Sequence, residues 1–333
     1  MKSKKIPLQL NASMQAVALA GLALTAAAPA MAVDNFNCPN VVIVSPYPPG
    51  GTTDILARLI APGMQEKLGV TVIVDNKAGA SSNIGTEYVG RAKADGCTLL
   101  LGNNTGVVIN RNLYDLRMDP VKSLAPVAKV ASVPLVLYVN ASKMDVKTPQ
   151  GLIDTLKADP TQYSFASGGS GSPQHLAGEM VKQIKSVEML HVPYRGQGPA
   201  LTDVIAGHVP IAFETTTVLL PHVQSGAVRA LATTSAQRTK VLPNVPTMTE
   251  SGFPNFEIEN WYGVFAPAGT PTPVVEKLNV AVNEALKKAD VAAALNKMGS
   301  TDVVGSASEF KAFIDQEAPL WVEVVKKSGA KVD

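Results

Sequence analysis

Residues 41–56 read VVIVSPYPPGGTTDIL, and few local structures accommodate that string. Val41 to Val44 are four β-branched apolar residues in a row, the pattern of a buried strand. Pro46, Pro48, Pro49, Gly50 and Gly51 then break both strand and helix. Thr52, Thr53 and Asp54 supply N-cap chemistry. Ile55, Leu56, Leu59, Ile60 and Met64 follow at helical spacing. A strand, a rigid glycine loop and a helix start bring bare N–H groups and the positive helix end to one spot, a cradle for a small anion. No lysine follows the glycines as in G-x-x-x-x-G-K-[ST], which argues against a nucleotide phosphate loop.

The first residues are read as a leader. Lys2, Lys4 and Lys5 form a basic start, Ala16 to Ala28 an apolar run, and Ala30-Met31-Ala32 a small-x-small cleavage pattern. The run is short of the ~20 residues that span a bilayer. Cleavage after Ala32 leaves 301 of the 333 residues. Losing three lysines from 29 basic residues leaves 26, against 27 acidic ones, so the mature chain carries about −1. That balance gives no reason to expect a nucleic-acid partner. A chain of this length at 46% hydrophobic composition can build two domains. Cys38 and Cys97, the two cysteines, each stand just before an apolar strand. Neighbouring parallel strands would bring them within bridging distance, and export allows a disulfide to persist; two free thiols are the alternative.

Beyond the opening unit, Val70 to Val74 reads as a strand, residues 83–93 as a helix and Cys97 to Leu101 as a strand, a βαβαβ run. Val127 to Val139 is a long apolar strand interrupted by Pro134, suited to a crossing between lobes. A second α/β series runs from Pro149 to Thr233, and Trp261 to Ala266 reads as a second crossing. Helices are expected over 273–288, 291–298 and 308–326. The expected fold class is α/β, with residues 33–137 and 259–333 in one lobe and 138–258 in the other.

Ser167 to His175, SGGSGSPQH, repeats the strand–glycine loop–helix arrangement. Ser172 is placed as an N-cap and Pro173 at the first helical position. Ligands of open α/β sheets sit at the carboxyl ends of the strands, where both loops fall. Facing each other, the loops would clamp a carboxylate by N–H groups without a formal positive charge.

The chain resembles the Bug (TctC-type) periplasmic solute receptors of tripartite tricarboxylate transporters. The resemblance runs over PYPPGGTTDILAR (46–58), DNKAGASSNIGTEYV (75–89), DGCTLLLGN (95–103), SGGSGSPQHLAGE (167–179), HVPYRGQGPALTDVIAGHV (191–209), LPNVPTMTESGFPNFE (242–257) and WYGVFAPAGTP (261–271). It implies a two-lobed Venus-flytrap fold, a periplasmic location and a monomer without cofactor. It implies a membrane permease of large and small subunits as partner. The implied ligand is a small carboxylate: a dicarboxylate, a tricarboxylate, an aromatic acid or an acidic amino acid. Carried over by position, Tyr47, Gly51, Thr52, Thr53 and Asp54 would line one wall, with Asn103, Asn104 and Thr105 approaching from the same lobe. Ser170, Gly171, Ser172 and His175 would line the other, joined by Thr215 and Thr216. The chain departs from the pattern at Glu214-Thr215-Thr216, at Cys97 and at Ser81-Ser82, where glycines are usual.

Other chemistries fit less well, and no enzyme activity is expected. Gly168-Gly169-Ser170-Gly171 lacks the final glycine of a nucleophile elbow, which leaves a serine hydrolase as the weaker reading. His175, His191, His208 and His222 are too far apart in sequence to suggest a metal site. Asp54 has two roles open, stabilising its own helix start or accepting from a ligand. A receptor docking on a sensor kinase rather than a permease uses the same closure and stays open as an alternative.

Overall fold

The computed structural model describes residues 36–300 and 305–331. The leader and its cleavage site lie outside them. Strand and helix alternate first as β1 (Asn40–Ser45), α1 (Thr52–Leu68), β2 (Thr71–Asn76), α2 (Asn83–Gly90) and β3 (Thr98–Asn103). β1 runs parallel to β2 on one side and to β3 on the other. Leu56, Ile60 and Met64 on α1 are fully buried, as their spacing requires, together with Val41 and Ile43 of β1. The register Val42↔Thr98 sets Cys38 and Cys97 at the same ends of their strands, and they are joined as a disulfide with Cα atoms 5.4 Å apart. Closing a loop of sequence separation 59 stabilises the fold by about 4 kcal/mol in the chain-entropy picture.

The chain then passes through a π-helical turn (Thr105–Ile109), a short 3-10 turn (Asn110–Asn112) and α3 (Pro120–Ser123) into β4 (Leu124–Asn140). β4 is 17 residues long and changes partners along its length. From Leu124 to Pro134 it pairs antiparallel with β9 (Glu259–Pro267); from Leu135 on it pairs with β7 (Ile211–Thr215), and from Val136 also with β8 (Val228–Thr233). Pro134 does not interrupt the strand. It closes the β9 ladder opposite Glu259, and at the next residue Leu135 donates its N–H to the Thr234 hydroxyl at 2.9 Å.

Between these crossings lie α4 (Pro149–Ala158), β5 (Ser164–Ser167), α5 (Pro173–Lys185), β6 (Leu190–Pro193), α6 (Gln197–Ala206) and α7 (Thr216–Gln224). After β9 come α8 (Thr272–Lys287), α9 (Ala289–Lys297) and α10 (Ala307–Ser328). The strands order as β2-β1-β3-β9-β4-β7-β5-β6, with β8 attached to β4. One group of strands therefore centres on β1 and the other on β7, joined through β4 and β9: a two-lobed α/β fold. α8 packs against α1 so closely that a Cβ at Gly63 would stand 2.6 Å from the Ala285 side chain. No described helix is long and apolar enough to cross a membrane.

Candidate functional site

The loops that leave the carboxyl ends of β1, β6 and β7 each start a helix without a side-chain cap. Gly51 stands at the N-cap of α1, Gly196 at that of α6 and Thr215 at that of α7. The three helix ends meet. The Thr52 N–H donates to Gln197 Oε1 at 3.1 Å, and the hydroxyls of Thr52 and Thr215 are 2.9 Å apart. Helix starts carry unsatisfied amides and the positive end of the macrodipole, so this junction favours an anion threefold. The amides of Thr53 and Asp54 have no carbonyl four residues back within α1 to receive them.

A cavity of about 680 Å³ lies beside the loops that lead into α1 and α6, with Tyr47 and Pro48 on one side and Ser170, Tyr194 and Arg195 on the other; Thr52, Gln197 and Thr215 do not line it. Arg195 is exposed and forms no ion pair among the described residues. The loop 79–82 also lines the cavity, and Ala80, Ser81 and Ser82 have φ of 44°, 50° and 76°. Three successive non-glycine residues in the left-handed region hold strain, which concentrates at functional sites. The Ser81 and Ser82 hydroxyls are buried without a hydrogen-bond partner of good geometry. The Tyr47 phenol lies by Thr105, Ser82 and Asn103; burial raises its pKa and those neighbours oppose the rise.

The sequence-predicted residues divide into those facing this junction and those engaged elsewhere. Thr52 and Thr215 make the contact itself. Gly51 lies near it: a Cβ there would be 3.8 Å from Gln197 Oε1. Asn103 pairs in register with Tyr262, whose buried hydroxyl sits beside Thr52 and Gln197. Asp54 is committed to structure. Its Oδ2 accepts the Gly50 N–H at 3.0 Å, and its Oδ1 accepts from Asn76 and from Arg58, each at 3.0 Å. Burial alone would raise its pKa, but Arg58, the Gly50 amide and Asn76 hold it below the usual value. Asn104 donates to the Glu259 carbonyl at 3.0 Å, and Thr105 accepts weakly from Asn103. The Thr216 hydroxyl donates to the Met298 carbonyl, away from Thr52.

On the second loop, Ser170 lines the cavity and its carbonyl accepts from the Tyr114 hydroxyl at 2.9 Å. Ser172 caps α5, accepting from the His175 N–H. His175 Nδ1 accepts the Gly171 N–H at 3.0 Å, and its ring stacks on His191 with centroids 3.8 Å apart. Burial pulls the His175 pKa down to about 4, and Lys182 adds to the fall; burial and His175 pull His191 to about 3. Both rings are therefore neutral at neutral pH. His191 Nε2 and Ser167 Oγ are 2.7 Å apart, but Ser167 is fully enclosed and also accepts from Gly169, so the pair shapes the loop.

One residue of the junction escaped the sequence reading as a site member: Gln197 lies in the quoted RGQG string, yet nothing local marks it. Glu214 stands where the chain departs from the family pattern, which makes it a candidate for distinguishing the ligand. It is 1% exposed, and its Oε1 accepts the Thr215 N–H at 2.6 Å.

Comparison with known proteins gives the family. The family model described as "Tripartite tricarboxylate transporter family receptor" (TctC) matches residues 56–330. The chain is 36% identical over 318 residues to protein BugT of Bordetella pertussis, covering 95% of this chain and 96% of that one. Among solved structures, Rpa4515 of R. palustris with adipate superposes with a TM-score of 0.84 at 34% identity, covering 88% of this chain and 98% of that one. MatC (Rpa3494) from Rhodopseudomonas palustris with bound malate gives a TM-score of 0.81 at 30% identity, covering 86% and 98%. The chain belongs to the TctC family of tripartite tricarboxylate transporter receptors.

Proposed function

We propose that the chain captures a small carboxylate where α1, α6 and α7 begin, and hands it to a tripartite membrane permease. The observation that carries this is the convergence of three uncapped helix N-termini on Thr52. Neutral amide donors can hold a carboxylate without a formal positive charge, each bond contributing ~1.5–3 kcal/mol. Several such bonds support micromolar binding, on the order of −8 kcal/mol. The adipate and malate held by the two R. palustris proteins are acids of the same class.

In this reading the ligand-facing residues are Tyr47, Gly51, Thr52, Thr53, Asn103, Thr105, Ser170 and Thr215, to which Gln197 and Glu214 are added. Asp54, Ser172 and His175 hold the loops in shape. Residues 33–137 with 259–333, and 138–258, move as lobes about the stretches of β4 and β9 where β4 changes partners. Closure is favoured by ligand because only the closed form brings the helix starts together. The large and small permease subunits, and cleavage after Ala32 on export to the periplasm, belong to the same proposal.

Isothermal titration of the folded protein with mono-, di- and tricarboxylates tests the reading. Micromolar binding of at least one acid is expected. Failure of the whole panel to bind overturns it.

A further inference from the structure

The penultimate residue of β7 is an acid that the anchoring of a carboxylate does not explain. Glu214 is buried, and no cationic side chain pairs with it among the described residues. Its Oε1 accepts from the Thr215 N–H at 2.6 Å, the Thr215 hydroxyl at 3.2 Å and Gln174 Nε2 at 3.5 Å. Gln174 stands in the first turn of α5, and Thr215 holds the N-cap position of α7 without a side-chain cap. The titratable groups that feel Glu214 are phenols: Tyr138 from β4 and Tyr262 from β9. Thr215 in turn touches Thr52, so Glu214 is one residue from the anion junction.

An ionised carboxylate buried beside a bound anion, with no cation at hand, is strongly disfavoured. The ligand could supply an ammonium instead. The helix starts beside Glu214 argue against that: α7 begins at Thr215, whose hydroxyl meets Thr52 at the start of α1, and an ammonium is disfavoured near helix N-termini. We propose that Glu214 acts as a neutral carboxylic acid that donates its proton to an oxygen of the captured ligand, linking capture to one proton and favouring acids with a second oxygen function over amino acids. The proposal rests on the carboxylate-capture reading and names its ligand class more finely.

Burial raises the Glu214 carboxyl to about 8, against the hydrogen bonds from Thr215 and Gln174 that would lower it. The acid is then largely protonated at neutral pH and must take up a proton when ligand binds in alkali. The affinity should hold below that value and fall by up to tenfold per pH unit above it.

The test titrates malate, adipate and succinate into the folded protein by calorimetry at about pH 7 and about pH 9, in buffers of different ionisation heat. These acids are fully ionised throughout, so a buffer-dependent heat reports on the protein. The expected result is close to one proton taken up per ligand at the higher pH, almost none at the lower, and roughly tenfold weaker binding at the higher. Glu214→Gln should flatten the profile and abolish the buffer dependence, whatever its affinity. Binding without proton uptake at about pH 9 overturns the proposal while leaving carboxylate capture standing. Tighter binding of aspartate than of succinate also overturns it. No binding at either pH overturns the capture reading as well. The wild-type measurement decides even where Glu214→Gln fails to fold.

Discussion

The two glycine-rich loops read alike as strings but differ in what satisfies their backbones. In 46–54 the pinning is done from behind: Asp54 accepts the Gly50 amide and is itself held by Arg58 and Asn76, while the start of α1 carries no side-chain cap. In 167–175 the side chains of the loop face inward. Ser172 caps α5, His175 accepts the Gly171 amide, and Ser167 accepts the Gly169 amide while contacting His191. The first loop spends the Gly50 amide on Asp54 and the Thr52 amide on Gln197 but leaves those of Thr53 and Asp54 without a carbonyl partner in α1; the second has spent several of its amides on itself. What the second lobe offers in their place is the bare starts of α6 and α7. Under the proposed capture, this pair of similar motifs would act as a reader and a rigid wall.

Acid should separate the two most strongly. His175 has its pKa depressed from 6.5 to about 4. Its contribution is complete above about pH 6.5 and drains away as pH falls toward the folded value, a loss of roughly 3 kcal/mol at most. Asp54 is also depressed, so the first loop keeps its support until acid falls below the ordinary carboxylate range. Scanning calorimetry across pH 7 to 4 should show a falling Tm that is blunted in His175→Asn, whose Oδ1 can stand where Nδ1 stood. A Tm equally steep in that variant would mean that the second loop is not held by its histidines.

The next largest effect should fall on affinity. Thr53→Pro removes one amide from the first turn of α1, where proline is sterically tolerated. The loss of one bond to a charged acceptor, ~1.5–3 kcal/mol, predicts ten- to hundredfold weaker binding of every carboxylate with little change in Tm. A change in the ranking of ligands instead of a uniform loss would put the shared head group elsewhere than on α1.

The alternation of strand and helix, both loops and the cysteine pair were legible because each is written in neighbouring residues. Periodicity marks Leu56, Ile60 and Met64, and glycine and proline mark the breaks. The junction was not legible in the same way. Gln197 meets Thr52 across 145 residues, and the assignment of Asp54 to structure depends on Asn76 from another strand. Thr216 turns to Met298 because α9 happens to end there. The left-handed run Ala80-Ser81-Ser82 carries no glycine of its own, so its backbone is announced only indirectly, by the glycines usual in the family at positions 81 and 82. Pro134 misled in the opposite direction: proline argues against a strand interior, but here it falls where one ladder ends and the next begins.

The finest distinction between the loops lies in Ser172. Its hydroxyl satisfies the His175 amide, so Ser172→Ala should cost about 1 kcal/mol of stability, a Tm lower by roughly 1–3 °C. If the second loop is a wall, affinity should move less than in Thr53→Pro, because the wall is still braced by His175 and by the stacked His191. If instead Ser172→Ala weakens every carboxylate as much as Thr53→Pro does while Tm barely moves, its hydroxyl is reading ligand, and both loops are readers after all. Measuring affinity and Tm on the same samples separates the two outcomes, since a cap acts through stability and a ligand contact does not.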